Sequence, residues 1–158
     1  MKLFKKSIAV LLVVVTAALS VNCSSSSDSS SSSSFYIKCK VNGAQFTSSD
    51  PFVINSLSKA ISGQSDNEAS QELVTLYMPL NVAVGTYTIT DEPSNENSYG
   101  ASYSNFDTDV STINASGTMK ITEVTADVIK GTFSFTSPDS EGGTITISEG
   151  TFRADNIQ

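Results

Sequence analysis

Between Phe35 and Phe152 the apolar residues recur at every second position, the period of a half-buried β-strand. In FYIKCKV, Phe35, Ile37, Cys39 and Val41 share one parity, with Tyr36, Lys38 and Lys40 on the other. Asn42-Gly43 then separates two strand-like runs, a hairpin signal because both turn positions need a positive φ. SKAISGQ and ELVTLYMPL read as the next pair. Val74, Leu76, Met78 and Leu80 are assigned to one face, and Pro79 should end that strand or hold it at an edge. GTYTIT points Tyr87 and Ile89 inward, and SYGASYS alternates Tyr99, Ala101 and Tyr103. GTMKITEV and VIKGTFSFT flank a turn near Thr125-Ala126-Asp127, with Ile129, Phe133 and Phe135 on a common face. In GTITISEGTF, Ile145 and Ile147 are in phase and Phe152 is not, so one extra residue at Glu149-Gly150 predicts a β-bulge. NSLSKAI spaces Leu57, Ala60 and Ile61 as a helix would, but its serines weaken that reading. The expectation is all-β: eight or nine antiparallel strands in a sandwich or a partly closed barrel, occupying residues 35–158.

Residues 1–34 follow another logic. MKLFKK is a positive n-region and SIAVLLVVVTAAL an uncharged apolar stretch of 13 residues. That is short of the ~20 needed to span a bilayer, so 1–22 reads as an export signal. LSVNC resembles a lipobox, the motif at which a bacterial signal peptidase cuts before a diacylated cysteine; Asn22 stands where a small residue is usual. The resemblance implies acyl chains on Cys23, attachment to a membrane through them, and an outer-membrane location, with the leaflet left open. Cys23 and the serines to Ser34 (23–34) form a tether. The eleven residues after Cys23 have no apolar side chain to offset ordering entropy, and a coil of that length spans roughly 17–20 Å.

Charge and composition narrow the chemistry. Beyond the leader, six cations face sixteen acids, a net −10. Such a domain repels nucleic acid and anionic lipid headgroups, so no nucleic-acid partner is expected. Histidine is absent, which removes the usual general base, every Ser-His or Cys-His arrangement, and zinc sites of ordinary type. No cofactor is expected, and the reading is not an enzyme. Cys39 has no intrachain partner if Cys23 is acylated, and its parity places it in the core.

Two stretches offer a site. Ser94–Asp109 interleaves Tyr99, Tyr103 and Phe106 with Asn, Ser and Gly, a mixture suited to a contact surface for a ligand or partner. The alternative is that these aromatics serve an edge strand and half enter the core. Asp107 and Asp109, with Ser111, stand at alternate positions as weak calcium candidates, and Asp91, Glu92, Asn95 and Glu96 form a second acidic loop.

KVNGAQF, VGTYTI, ASGTMKITEV, KGTFSF and GGTITISEGTF occur in an order that resembles a family of small lipoproteins common in Bacteroidota and their relatives. That family carries a domain-of-unknown-function label and has no established catalytic residues. The resemblance implies the β fold and the lipid anchor. The functional expectation is a monomeric, lipid-anchored, non-catalytic envelope module for interaction or adhesion. The alternative is a carrier of a small apolar ligand in a calycin-like barrel, which needs a closed and hollow interior.

Overall fold

The computed structural model of the chain describes residues 34–90, 97–112 and 114–157. The signal, Cys23 and nearly all of the tether lie outside the described residues, as do Asp91, Glu92, Asn95 and Glu96. Eleven strands follow one another: β1 (Tyr36–Val41), β2 (Ala44–Ser48), β3 (Phe52–Asn55), β4 (Lys59–Gln64), β5 (Glu72–Met78), β6 (Gly85–Thr90), β7 (Tyr99–Asn105), β8 (Val110–Ser111), β9 (Ser116–Val124), β10 (Val128–Pro138) and β11 (Thr144–Asp155). Among the described residues no helix is long and apolar enough to cross a membrane.

The strands form one sheet in the order β2-β1-β11-β10-β9-β6-β7-β5-β4-β3, with β8 paired to β7. The sheet is open but strongly curled, a half-barrel: β2 comes against β4, and β3 against the end of β11. The amide of Asp66, after β4, donates to the Thr47 carbonyl on β2 at 2.8 Å, joining the two flanks. Gly63 on β4 allows this approach, since a Cβ there would meet Ser48 Cβ at 2.8 Å.

The concave side is filled. Phe46, Ile61, Leu76, Met119, Ile129, Phe133 and Phe152 all belong to one continuous core. The Phe133 ring lies 6.3 Å from that of Phe152. The hollow, closed interior that a calycin-like carrier requires is therefore not formed. The outward positions of β6, β9, β10 and β11 are mostly threonine and serine, as expected of a pleated surface facing water.

Turn chemistry explains the local order. Asn42 and Gly43 take φ of 48° and 86°, and Val41 pairs with Ala44 across them. On β11, Phe133 pairs with Gly150 and Phe135 with Ile147, so Ser148 and Glu149 oppose Ser134 alone. Glu149 is the extra residue, at φ 53°, and it restores Phe152 and Ala154 to the buried side. A second bulge, at Thr122 on β9, has no counterpart in the expected pattern.

Three expectations need correction. There are eleven strands rather than eight or nine, because β3 is continuously apolar over three residues and β8 has only two residues. One pair, β6 with β7, is parallel, through Ile89 with Tyr99 and Thr90 with Gly100. The third concerns the sandwich alternative only: one curled sheet forms a half-barrel, close to the expected partly closed barrel, and no second sheet packs on it among the described residues.

Candidate functional site

The aromatic contact surface expected of Tyr99, Tyr103 and Phe106 does not form. Tyr99 and Tyr103 project inward from β7, 7% and 4% exposed, while Phe106 sits in the following turn at 61%. Burial, and then hydrogen bonding to Tyr87, push the Tyr99 phenol up. Burial, and then the Glu72 carboxylate that accepts its hydroxyl at 2.6 Å, do the same for Tyr103. Tyr103 is enclosed in the core, whereas Tyr99, although largely buried, also lines a cleft with Leu57 and Leu80. The calcium candidates fare no better: Asp107 Oδ2 accepts the Gln71 amide at 2.7 Å, Asp109 occupies a left-handed turn position at φ 56°, and no third ligand joins them. Among the described residues no three His, Cys, Asp or Glu side chains are grouped to hold a metal. Cys39 is buried, as its parity predicts, and burial with a lesser contribution from Glu72 pushes its thiol up to about 12.

The feature that stands out lies at one end of the sheet. Pro79 has no amide hydrogen to donate, so β5 stops at Met78 and the chain turns out through Leu80–Val84 before β6. Leu57 in the β3–β4 turn, Leu80 and Val84 in this loop, and Ile157 after β11 are exposed by 81%, 44%, 63% and 46%. Single exposed apolar residues are ordinary, but Leu80 shares one cleft with Leu57 and another with Ile157. Leu57 and Leu80 line one cleft of about 390 Å³, and Leu80 and Ile157 line a second of about 420 Å³. The loop between the clefts is held in place. Tyr87 and Tyr99 stack with ring centroids 3.8 Å apart, and Tyr87 Oη donates to the Ala83 carbonyl at 2.9 Å.

Beneath the second cleft is Lys59. It shares the parity of Ile61 on β4 and points inward, 1% exposed. Its Nζ donates to Asn156 Oδ1 and, at 3.0 Å, to the Ile157 carbonyl. Asn156 in turn is tied to the β9–β10 turn through the Thr125 and Asp127 carbonyls. Burial pulls the Lys59 ammonium below its usual range, and Asp155 partly opposes this. Lys59 thereby fastens the chain after β11 to β4, and the apolar lip rests on that fastening.

The lip was not anticipated. Leu80 was assigned to the buried face with Met78, although the proline between them signals that the strand has ended. The helical spacing of Leu57, Ala60 and Ile61 does not produce a helix: Leu57 lies in the β3–β4 turn and Ala60 and Ile61 in β4. Lys59 shares the inward parity of Ile61, a signal that alternation carries.

Of the residues singled out from sequence, Tyr99 and Tyr103 are buried and Phe106 is exposed, while Leu57, Leu80 and Ile157 border the two clefts. Residues 33–154 match the model of a family described as a domain of unknown function, DUF6252. No curated protein and no solved structure matches the chain.

Proposed function

From the premise that the chain belongs to the DUF6252 family, we propose that it is a lipid-anchored, non-catalytic envelope domain that acts by contact through the apolar lip. The observation that carries this reading is the run of exposed Leu57, Leu80 and Ile157 around two adjoining clefts. Water is a poor neighbour for such a patch, so a covering surface stabilises it. Anchoring rests on Cys23 and the preceding apolar segment of the sequence. A single acyl chain binds a membrane marginally, whereas two or three hold, at ~0.8 kcal/mol per buried CH₂. The carrier reading has no hollow interior to draw on.

A photocrosslinking side chain placed at position 57 or 80 of the full chain in intact cells tests the proposal. Adducts at both positions, absent from position 106 and lost in Cys23→Ala, are expected. Equal adducts at all three positions would sink it. Labelling with an alkynyl fatty acid tests the anchor separately: Cys23→Ala should lose the label and leave the membrane fraction.

A further inference from the structure

We infer that the apolar lip is a membrane-facing surface, and that its contact is with the same lipid bilayer that holds the acyl chains. This rests on the lipid-anchor reading above and goes beyond it by naming what covers the lip.

The first support is where the chain enters the domain. Tyr36 pairs with Arg153, so β1 begins beside the end of β11. The residues just past β11, Asn156 and Ile157, hold Lys59 and line the second cleft. The tether thus reaches the domain at the end that carries the lip. Phe35 and Tyr36, both half-buried, mark the junction. Aromatic side chains of this kind favour the boundary between water and hydrocarbon.

The second support is length. A coil of eleven residues spans roughly 17–20 Å on average. β11 alone, twelve residues, is about 40 Å long at ~3.4 Å per residue. The β10–β11 hairpin tip at Asp139–Gly143 lies at the other end of that strand. Of the two ends, only the lip stays within the tether's ordinary reach of the bilayer. Short flexible linkers give effective concentrations of order millimolar, so even a weak contact by a few apolar side chains is populated.

The third support is charge. The far end carries Asp107 and Asp109 on the β7–β8 turn and Asp139 and Glu141 on the β10–β11 turn, and Ser140 Oγ donates to the Asp109 carbonyl at 3.3 Å. Toward the lip end Lys130 pairs with Glu123 at 2.7 Å and is the register partner of Arg153. Anionic headgroups repel the acidic far end. Position, reach and charge give one orientation.

The chain has no tryptophan, so single reporters test this cleanly. Leu57→Trp, Leu80→Trp and Phe106→Trp, all at exposed positions, are made in the full acylated chain and bound to phosphatidylcholine vesicles with brominated acyl chains. Flotation with the vesicles, loss of most emission from Trp at 57 and 80, and unchanged emission at 106 are expected. Flotation without quenching at 57 and 80 overturns the inference and leaves the anchor standing. A blue shift at 57 and 80 without bromine quenching also overturns it, since protein rather than lipid then covers the lip. Equal quenching at 106 overturns it in favour of a domain lying flat. Failure to float overturns the anchor reading, and this inference falls with it.

Discussion

Lys59 illustrates how one side chain sets both a cost and a fastening. It is buried without a carboxylate in contact, and its hydrogen bonds run to neutral oxygens of Asn156 and Ile157. Burial lowers its affinity for a proton in the folded chain, whereas the unfolded chain keeps that proton up to about 10.5. Between those limits the unfolded state binds more protons, so Lys59 makes stability rise with pH. Cys39 acts in the opposite sense above pH 9.0, because the folded thiol holds its proton to about 12. The contribution of Lys59 is isolated by comparing urea midpoints of the native chain and Lys59→Met from pH 7 to 10. The native chain should gain on the variant as pH rises; a constant gap would refute the assignment. Cys39 should react with a thiol reagent only as fast as the domain unfolds. Gly117 is a third residue with a single reason: a Cβ there would lie 2.1 Å from the Ser134 carbonyl of the paired strand. Gly117→Ala should cost about 3 kcal/mol, the upper end of overpacking, read as a lowered urea midpoint at constant slope.

At the scale of elements, the stretch after β11 works as a clasp. Asn156 joins Lys59 on β4 to the Thr125–Asp127 turn between β9 and β10. Ending the chain after Asp155 removes both neutral acceptors of a buried ammonium, so a loss of about 1–3 kcal/mol is expected. Lys59→Met should restore much of that loss, because the two changes share one interaction. If the truncation costs the same in both backgrounds, the clasp does not act through Lys59. Elements were also where the sequence was most legible. Period-two alternation identifies β1, β5, β7, β9, β10 and β11 with their buried faces, and the misphased Phe152 betrays the Glu149 bulge. Alternation is silent on partners. Neither the parallel β6–β7 pair nor the place of β6 between β9 and β7 leaves a local mark, because both depend on contacts distant in sequence. The lip was hidden for a related reason: Leu57 and Leu80 are apolar residues at ordinary spacing, and only the folded chain shows them facing outward together. Tyr99 and Tyr103 misled in the opposite direction, since a Tyr-Ser-Gly-Asn mixture suits a binding loop and a small-residue strand alike.

The β domain of the described residues is a filled half-barrel with distinct ends. One end carries the lip, the Lys59 clasp and the start of β1; the other carries four acids on two hairpin turns. On the proposed anchor, that asymmetry favours one orientation at the membrane. The place of β1 in the sheet adds a mechanical consequence. β1 is held on both sides, by β2 and by β11, and its first residue is the point at which the tether pulls. Drag on the domain from surrounding fluid or from a bound neighbour loads β1 along its own axis. The hydrogen bonds to both flanking strands then resist in shear, sharing the force, instead of opening one after another as a peeled edge would. On the proposed anchor, the domain would be strongest along the direction in which it is pulled.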